Sequence, residues 1–291
     1  MKIVKLKGGL GNQMFQYVFA KILEQISGEE IKLDYSAYGD KDDIVRVPRI
    51  AKFKISLNQA TDHDIKQACL FEHKGKTLTF KYRLGIMAEH LFNRKYYLEP
   101  NREFIQPETI ANYLYYDGYW QSWRYTELAK EIIHTEFVPI ENLSELSMIT
   151  FKEMQQENSV FLGVRKGDYS KELSHYGTYG QEYYRKCMQY IAAHVECPVF
   201  YVFSNDITWC KENIDFSGYD VRFREPELQT DDFEELILMS ACKHGIMLNS
   251  TYHWWGAYLI KNPQKIICHP LKWFADEKPI DIYPKEWVAI E

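Results

Sequence analysis

Apolar positions along the chain switch between two periods. Residues 2 to 7 alternate apolar and basic side chains, as a short strand would. After Gly8-Gly9-Leu10-Gly11-Asn12-Gln13, the apolar residues Met14, Phe15, Val18, Phe19, Ile22, Leu23 and Ile26 recur at helical spacing. Gly28 is placed to end that helix, and Ile31 to Asp34 reads as the next strand. A strand, glycine loop, helix and strand at the front predict an α/β architecture.

Residues 40 to 120 mix short apolar runs with charges and aromatics, and predict helices and loops with one strand near Tyr113 to Tyr119. Residues 141 to 158 are polar and helical in pattern, and a domain boundary falls there. The second half is clearer. Strands are expected at 160–164, 199–203, 221–223, 245–248 and 265–268, with helices at 182–194, 232–242 and 251–260. This alternation predicts a parallel doubly wound sheet. The expected organisation is therefore two facing Rossmann-like domains, residues 1–150 and 151–291, with the last segment able to pack back on the first.

Composition narrows the function. Lys plus Arg number 35 against 41 Asp plus Glu, a net charge of −6, so an anionic ligand must be met by a local positive cluster rather than by the whole field. General nucleic-acid binding is disfavoured on the same ground. The six cysteines, Cys69, Cys187, Cys197, Cys210, Cys242 and Cys268, form no C-x-x-C pair and no zinc spacing, and read as buried, reduced thiols. The N-terminus lacks the apolar core of a signal peptide, and no stretch reaches the roughly 18 apolar residues of a membrane span. A cytoplasmic protein is expected, able to touch a membrane if its acceptor is lipid-linked. Most of the 22 Tyr and 7 Trp are expected in the core.

Three segments carry candidate chemistry. Val164-Arg165-Lys166-Gly167-Asp168-Tyr169 follows a strand end. Its arginine can grip a diphosphate with a planar fork, and Asp168 can orient Arg165 or act as a base. A surface turn with a salt bridge is the alternative. Asn249-Ser250-Thr251 precedes an aromatic helix, and hydroxyls with unpaired N–H groups at a helix start suit an anion, as they also suit a simple cap. The loop at 8–13 is neither G-x-G-x-x-G nor a P-loop, so it does not point to NAD or ATP, but Gly9 and Gly11 permit close backbone approach, and Asn12 and Gln13 bring neutral donors. Asp231-Asp232 opens a helix, where acids are favoured, rather than forming a metal motif. Together these residues can neutralise a nucleoside diphosphate leaving group without a metal.

The motifs resemble those of the family 11 α-1,2-fucosyltransferases. Residues 8–17 are similar to the family's N-terminal signature, and 164–169 to its H-x-R-R-G-D-Y. Phe203-Ser204-Asn205-Asp206 with Trp209 resembles F-S-D-D-x-x-W. Residues 238–244 and 249–257 resemble L-M-S-x-C-K-H and N-S-[ST]-F-S-W-W-G-A. The resemblance implies a GT-B fold, GDP-β-L-fucose as donor, inversion, a galactose 2-hydroxyl as acceptor, and no cofactor or metal. By the same resemblance Arg165, with Lys166, Ser250, Thr251 and Asn249, meets the diphosphate. Glu235 reads guanine, Asn12 lies near the diphosphate and fucose, and Arg165 and Asp168 are the catalytic candidates, with His175 and Asp206 behind Asp168 as bases. Two departures stand out: Gly163 replaces the motif's His, and Lys166 its second Arg. A transferase using another GDP-sugar or acceptor, and a non-catalytic carbohydrate-binding protein, are the competing readings.

Overall fold

The computed structural model describes residues 1–38, 48–70, 80–93, 95–165, 179–225, 228, 231–274 and 280–291, and within the helix at 80–92 it leaves out the side chains of 80–83 and 90. The chain divides into two compact units, Met1–Glu141 with Pro279–Pro284, and Asn142–Lys278 with Lys285–Glu291.

In the first unit, β1 (Lys2–Lys5), α1 (Leu10–Ser27) and β2 (Ile31–Asp34) form the expected strand–helix–strand. Gly28 closes α1 in the left-handed region at φ 63°, and its N–H bonds the Glu24 carbonyl. The chain continues through β3 (Asn58–Gln59), α2 (Asp62–Ala68), α3 (Phe80–Phe92), β4 (Tyr96–Leu98), β5 (Tyr115–Asp117), α4 (Trp123–Leu128) and α5 (Lys130–Glu136). The strands order as β3-β2-β1-β5-β4, all parallel. An aromatic core covers this sheet: Phe19 stacks on Trp120 at 3.7 Å between centroids, and Tyr116 and Tyr125 meet Phe19 edge-on.

The second unit holds α6 (Glu145–Gln156), β6 (Asn158–Val164), α7 (Gln181–His194), β7 (Pro198–Ser204), α8 (Ile207–Asn213), β8 (Asp220–Phe223), α9 (Asp232–Ala241), β9 (His244–Ile246), α10 (Thr251–Tyr258), β10 (Ile267–Pro270) and β11 (Val288–Ile290). Its strands order as β11-β10-β9-β6-β7-β8, again all parallel. β6 and β7 are near-continuous apolar runs, as a strand covered on both faces requires. Trp254 and Trp255 are fully buried and pack edge to face, so they serve the core as expected.

The α/β class and a pair of units, each with a parallel, Rossmann-like sheet, are observed. The division falls between Glu141 and Asn142, before α6 and at the start of the 141–158 stretch where the boundary is expected. The reason is local: Ser144 and Ser147 hydrogen-bond the Glu234 carboxylate on α9, which ties the whole of α6 to the second unit. The C-terminal segment returns to the first unit through Asp281, whose carboxylate accepts from Ser122 Oγ at 3.2 Å and Trp123 Nε1 at 2.8 Å. Five cysteines are buried, but Cys197 is exposed at the turn before β7 with φ 45°, so the expectation of a buried thiol fails there. Among the described residues no helix is long and apolar enough to cross a membrane.

Candidate functional site

Each sheet reverses its winding once. In the second unit β6, β7 and β8 run outward on one side, and β9, β10 and β11 on the other, so the switch lies between β6 and β9. Ligands of open parallel sheets bind outside the carboxyl ends of strands at such a point. Leu162 pairs with Ile246 across these strands. Arg165 lies three residues beyond Leu162, and Asn249 three beyond Ile246, so both predicted segments leave the sheet side by side.

The start of α10 is built for a polar guest. Ser250 occupies the N-cap position, yet its side chain makes no cap bond, so the simple-cap alternative does not hold. Its Oγ and the Nδ1 of His253 are buried and have no hydrogen-bond partner among the described residues. Serine and histidine three apart lie on one face of the helix. Asn249 is fixed by a 2.8 Å bond from its Nδ2 to the Trp273 carbonyl. Thr251 begins the helix half-buried. Burial, and then the nearby Arg165 charge, lowers the His253 pKa to about 3, so the ring is neutral at physiological pH. Tyr252 bonds the Asp232 carbonyl. Burial, then the Glu235, Asp232 and Asp231 carboxylates, raise its pKa well above normal, with Arg165 acting in the opposite sense.

Glu235 lies in the first turn of α9, after the N-cap Asp231, whose carboxylate accepts from the amides of Phe233 and Glu234. Both Glu235 oxygens are held by Arg224, at 2.8 Å from NH2 and 3.4 Å from Nε. The Arg224 guanidinium also donates to Thr150 Oγ1 at 3.2 Å and to the Leu228 carbonyl. Arg224 is only 2% exposed. Sequence reading missed this residue, although an arginine at the carboxyl end of a strand was a usable signal. Asp206, a lesser base candidate, caps α8 by accepting from Trp209 N at 2.9 Å. Lys166, Gly167, Asp168, Tyr169 and His175 lie outside the described residues.

In the first unit the switch lies between β1 and β5, and the loop 8–13 follows β1. Gly8 adopts φ 83°, which only glycine takes readily, and a side chain there would collide with Asn12. Gly9 caps α1, its carbonyl accepting from the amides of Asn12 and Gln13, and Gly11 is buried in the helix's first turn. Asn12 accepts from Gln121 Nε2 at 2.9 Å. Gln13 departs from its expected role as a ligand donor. Fully buried, it donates to the Gly8 carbonyl and accepts from the Ile50 amide, so its amide braces the loop from within. Lys7 pairs with Asp117 at the end of β5, with Lys5 at 3.8 Å and the Tyr96 hydroxyl at 2.8 Å. Burial alone would raise the Asp117 pKa, but Lys7 and Lys5 hold it well below the carboxylate range. Glu99, just past β4, accepts from the amides of Tyr119 at 2.6 Å and Trp120 at 3.1 Å, where Trp120 sits at φ 56°. Burial pushes the Glu99 pKa up to about 7, against those two amides and the Lys7 and Arg102 charges. Among the described residues no group of three or more His, Cys, Asp or Glu is arranged to hold a metal ion.

The structure thus brings Arg165, Glu235, Asn249, Ser250 and Thr251 to one end of the second unit, and Asn12, Gly9 and Gly11 to the equivalent end of the first. The glycosyl transferase family 11 model matches residues 1–291. The chain is 31% identical to an α-1,2-colitosyltransferase of Escherichia coli, across 99% of this chain and 98% of the relative. It is 29% identical to the O-antigen biosynthesis glycosyltransferase WbnK of Escherichia coli, across 98% and 99%. Galactoside alpha-(1,2)-fucosyltransferase 1 of Homo sapiens is 28% identical, across 75% of this chain and 65% of its own length. A family match over every residue, with a relative above 30% identity along nearly the whole chain, decides the assignment: this chain belongs to glycosyl transferase family 11 and is a glycosyltransferase.

Proposed function

We propose that this enzyme transfers L-fucose from GDP-β-L-fucose to the 2-hydroxyl of a galactoside, with inversion and without a metal or cofactor, in the cytoplasmic assembly of a surface polysaccharide. The observation that carries the reading is the meeting of Arg165 with the uncapped start of α10 at the switch point of the second sheet. Negative charge grows on the diphosphate as the glycosidic bond breaks. A guanidinium, the Ser250 and Thr251 hydroxyls and the helix N-terminus suit that charge. Lys166 adds a second cation from the same motif.

Glu235 is the proposed guanine reader. A carboxylate has about four lone-pair sites. A carboxylate at this place suits the paired donors of guanine, its N1–H and its amine, and Arg224 fixes its position. Asp168 is the proposed base for the acceptor hydroxyl, or the carboxylate that orients Arg165; a pH–rate profile of Asp168→Asn separates the two roles. Asn12, with Gly9 and Gly11 of the glycine loop that Gln13 braces, is a proposed donor contact on the likeness of that loop to the family signature. An acceptor carried on a lipid would bring the enzyme to the membrane surface as a peripheral protein.

A second donor is favoured by one observation. The relative with 31% identity is named a colitosyltransferase, and colitose is fucose without its 3-hydroxyl. Transfer from GDP-fucose, GDP-colitose and GDP-mannose to lactose, with linkage analysis of the product, tests the reading. Fucose in α-1,2 linkage is expected, and Arg165→Ala should lower kcat/KM by ~2–4 kcal/mol in activation free energy, as loss of an oxyanion donor does. Near-normal turnover in Arg165→Ala, or product from GDP-mannose alone, overturns it. A sugar-binding protein without catalysis would bind lactose and leave GDP alone, so GDP-induced thermal stabilisation separates the two.

A further inference from the structure

Gly163 is the last interior position of β6 before Val164 and Arg165. A Cβ built on it would stand 2.7 Å from Nδ1 and 2.8 Å from two ring carbons of His253. No real Cβ tolerates that approach, and the obstacle is a ring 4% exposed, not the free tip of a flexible chain. The two positions therefore share one space. Aligned on the motifs quoted above, the sequence has exchanged its occupants. Gly163 falls where H-x-R-R-G-D-Y has its histidine, and His253 where N-S-[ST]-F-S-W-W-G-A has its second serine.

We infer that His253 is a donor-recognition residue: the glycine at 163 opens a slot on β6 two residues before Arg165, and the imidazole from α10 fills it, offering Nδ1, with Ser250 Oγ from the same helix face, to a phosphate oxygen of the nucleotide. The inference rests on the transferase reading of this site. Three observations support it. Gly163 stands on β6 two residues before Arg165, and the Arg165 charge acts on the His253 ring. His253 and Ser250 share a face of α10, and each has a buried polar atom without a partner among the described residues. A native structure rarely keeps such buried atoms unless a water or a ligand satisfies them. Burial keeps the ring neutral, so the Nδ1–H tautomer can donate to phosphate without setting a second full charge against Arg165.

A reciprocal exchange tests it. Wild type, His253→Ser, Gly163→His and the doubly exchanged chain are compared by thermal unfolding, by GDP titration calorimetry and by kcat and KM for GDP-fucose. His253→Ser is expected to fold and to weaken GDP binding about tenfold, with the loss in KM rather than kcat. Gly163→His alone should unfold at lower temperature than wild type. The double exchange should recover most of the lost stability and bring GDP affinity to within about threefold of wild type, an interaction between sites in contact. If His253→Ser binds GDP as wild type does, the imidazole only packs and the inference fails. If the double exchange is no better than Gly163→His, the two positions are not one slot and it fails equally. A wild type that binds no GDP overturns the transferase reading and this inference together, whereas failure of the inference alone leaves wild-type GDP binding intact.

Discussion

Replacing Arg224 by methionine should destabilise the second unit by about 3–4 kcal/mol, the range for breaking a buried ion pair from one side. The figure follows from how the guanidinium is used. It lies 3% exposed against a carboxylate 13% exposed, at 2.8 and 3.4 Å, and also serves Thr150 and the Leu228 carbonyl. Methionine keeps much of the apolar stem and removes every donor, so packing changes little and the Glu235 charge is left buried without its partner. An exposed pair of the same composition would contribute only about 0–1 kcal/mol. Urea unfolding followed by tryptophan fluorescence provides the measurement: the midpoint of the transition should fall at unchanged slope. A companion Glu235→Met and the double variant close the cycle, and the double variant should recover part of the loss because neither charge then stands alone. A loss below about 1 kcal/mol in Arg224→Met would show that water reaches the pair, and the reasoning about a held guanine reader would fall with it.

Gly8→Ala should cost about 1–3 kcal/mol, since it forces a side chain into the left-handed region and against Asn12; an unchanged thermal midpoint would refute the strain. Glu99 binds its proton more tightly folded, near pH 7, than at its ordinary 4.5. Its share of stability is therefore whole below pH 4.5 and is lost as pH rises through 7. Glu99→Gln should flatten the fall in stability across that window, read from urea midpoints at successive pH values, and a slope equal to wild type would refute it. Asp281→Ala frees Ser122 Oγ and Trp123 Nε1 together and should destabilise the first unit by about 1–3 kcal/mol, detected as loss of amide protection at the start of α4.

The second unit was the more legible because its strands are long enough to carry a period. β6 and β7 run seven residues each and announce themselves as apolar blocks, and the intervening helices have a clear apolar face. β3 and β4, of two and three residues, carry no period at all; their partners across the sheet define them, and those partners are distant in sequence. The same distance hid Lys7 with Asp117, 110 residues apart. Arg224 and Glu235 lie only 11 apart; there the glutamate was visible from its motif, but nothing in the motif marked its holder. Gln13 misled because an amide beside glycines looks like a ligand donor, while its actual partners, Gly8 and Ile50, depend on how the loop folds back. His253 was passed over in the sequence, where only Gly163 and Lys166 stood out; its meaning needed the ring's position against Gly163.

The route of the chain's end sets a rule for making this protein. Residues 280–284 belong to the first unit, and the seven that follow supply β11, an edge of the second sheet. Neither unit is therefore complete until residues 280–291 have been made. Expression of residues 1–141 alone should yield a fragment lacking the Asp281 brace, and removal of residues 280–291 should expose the flank of β10 as a sticky edge, prone to aggregation.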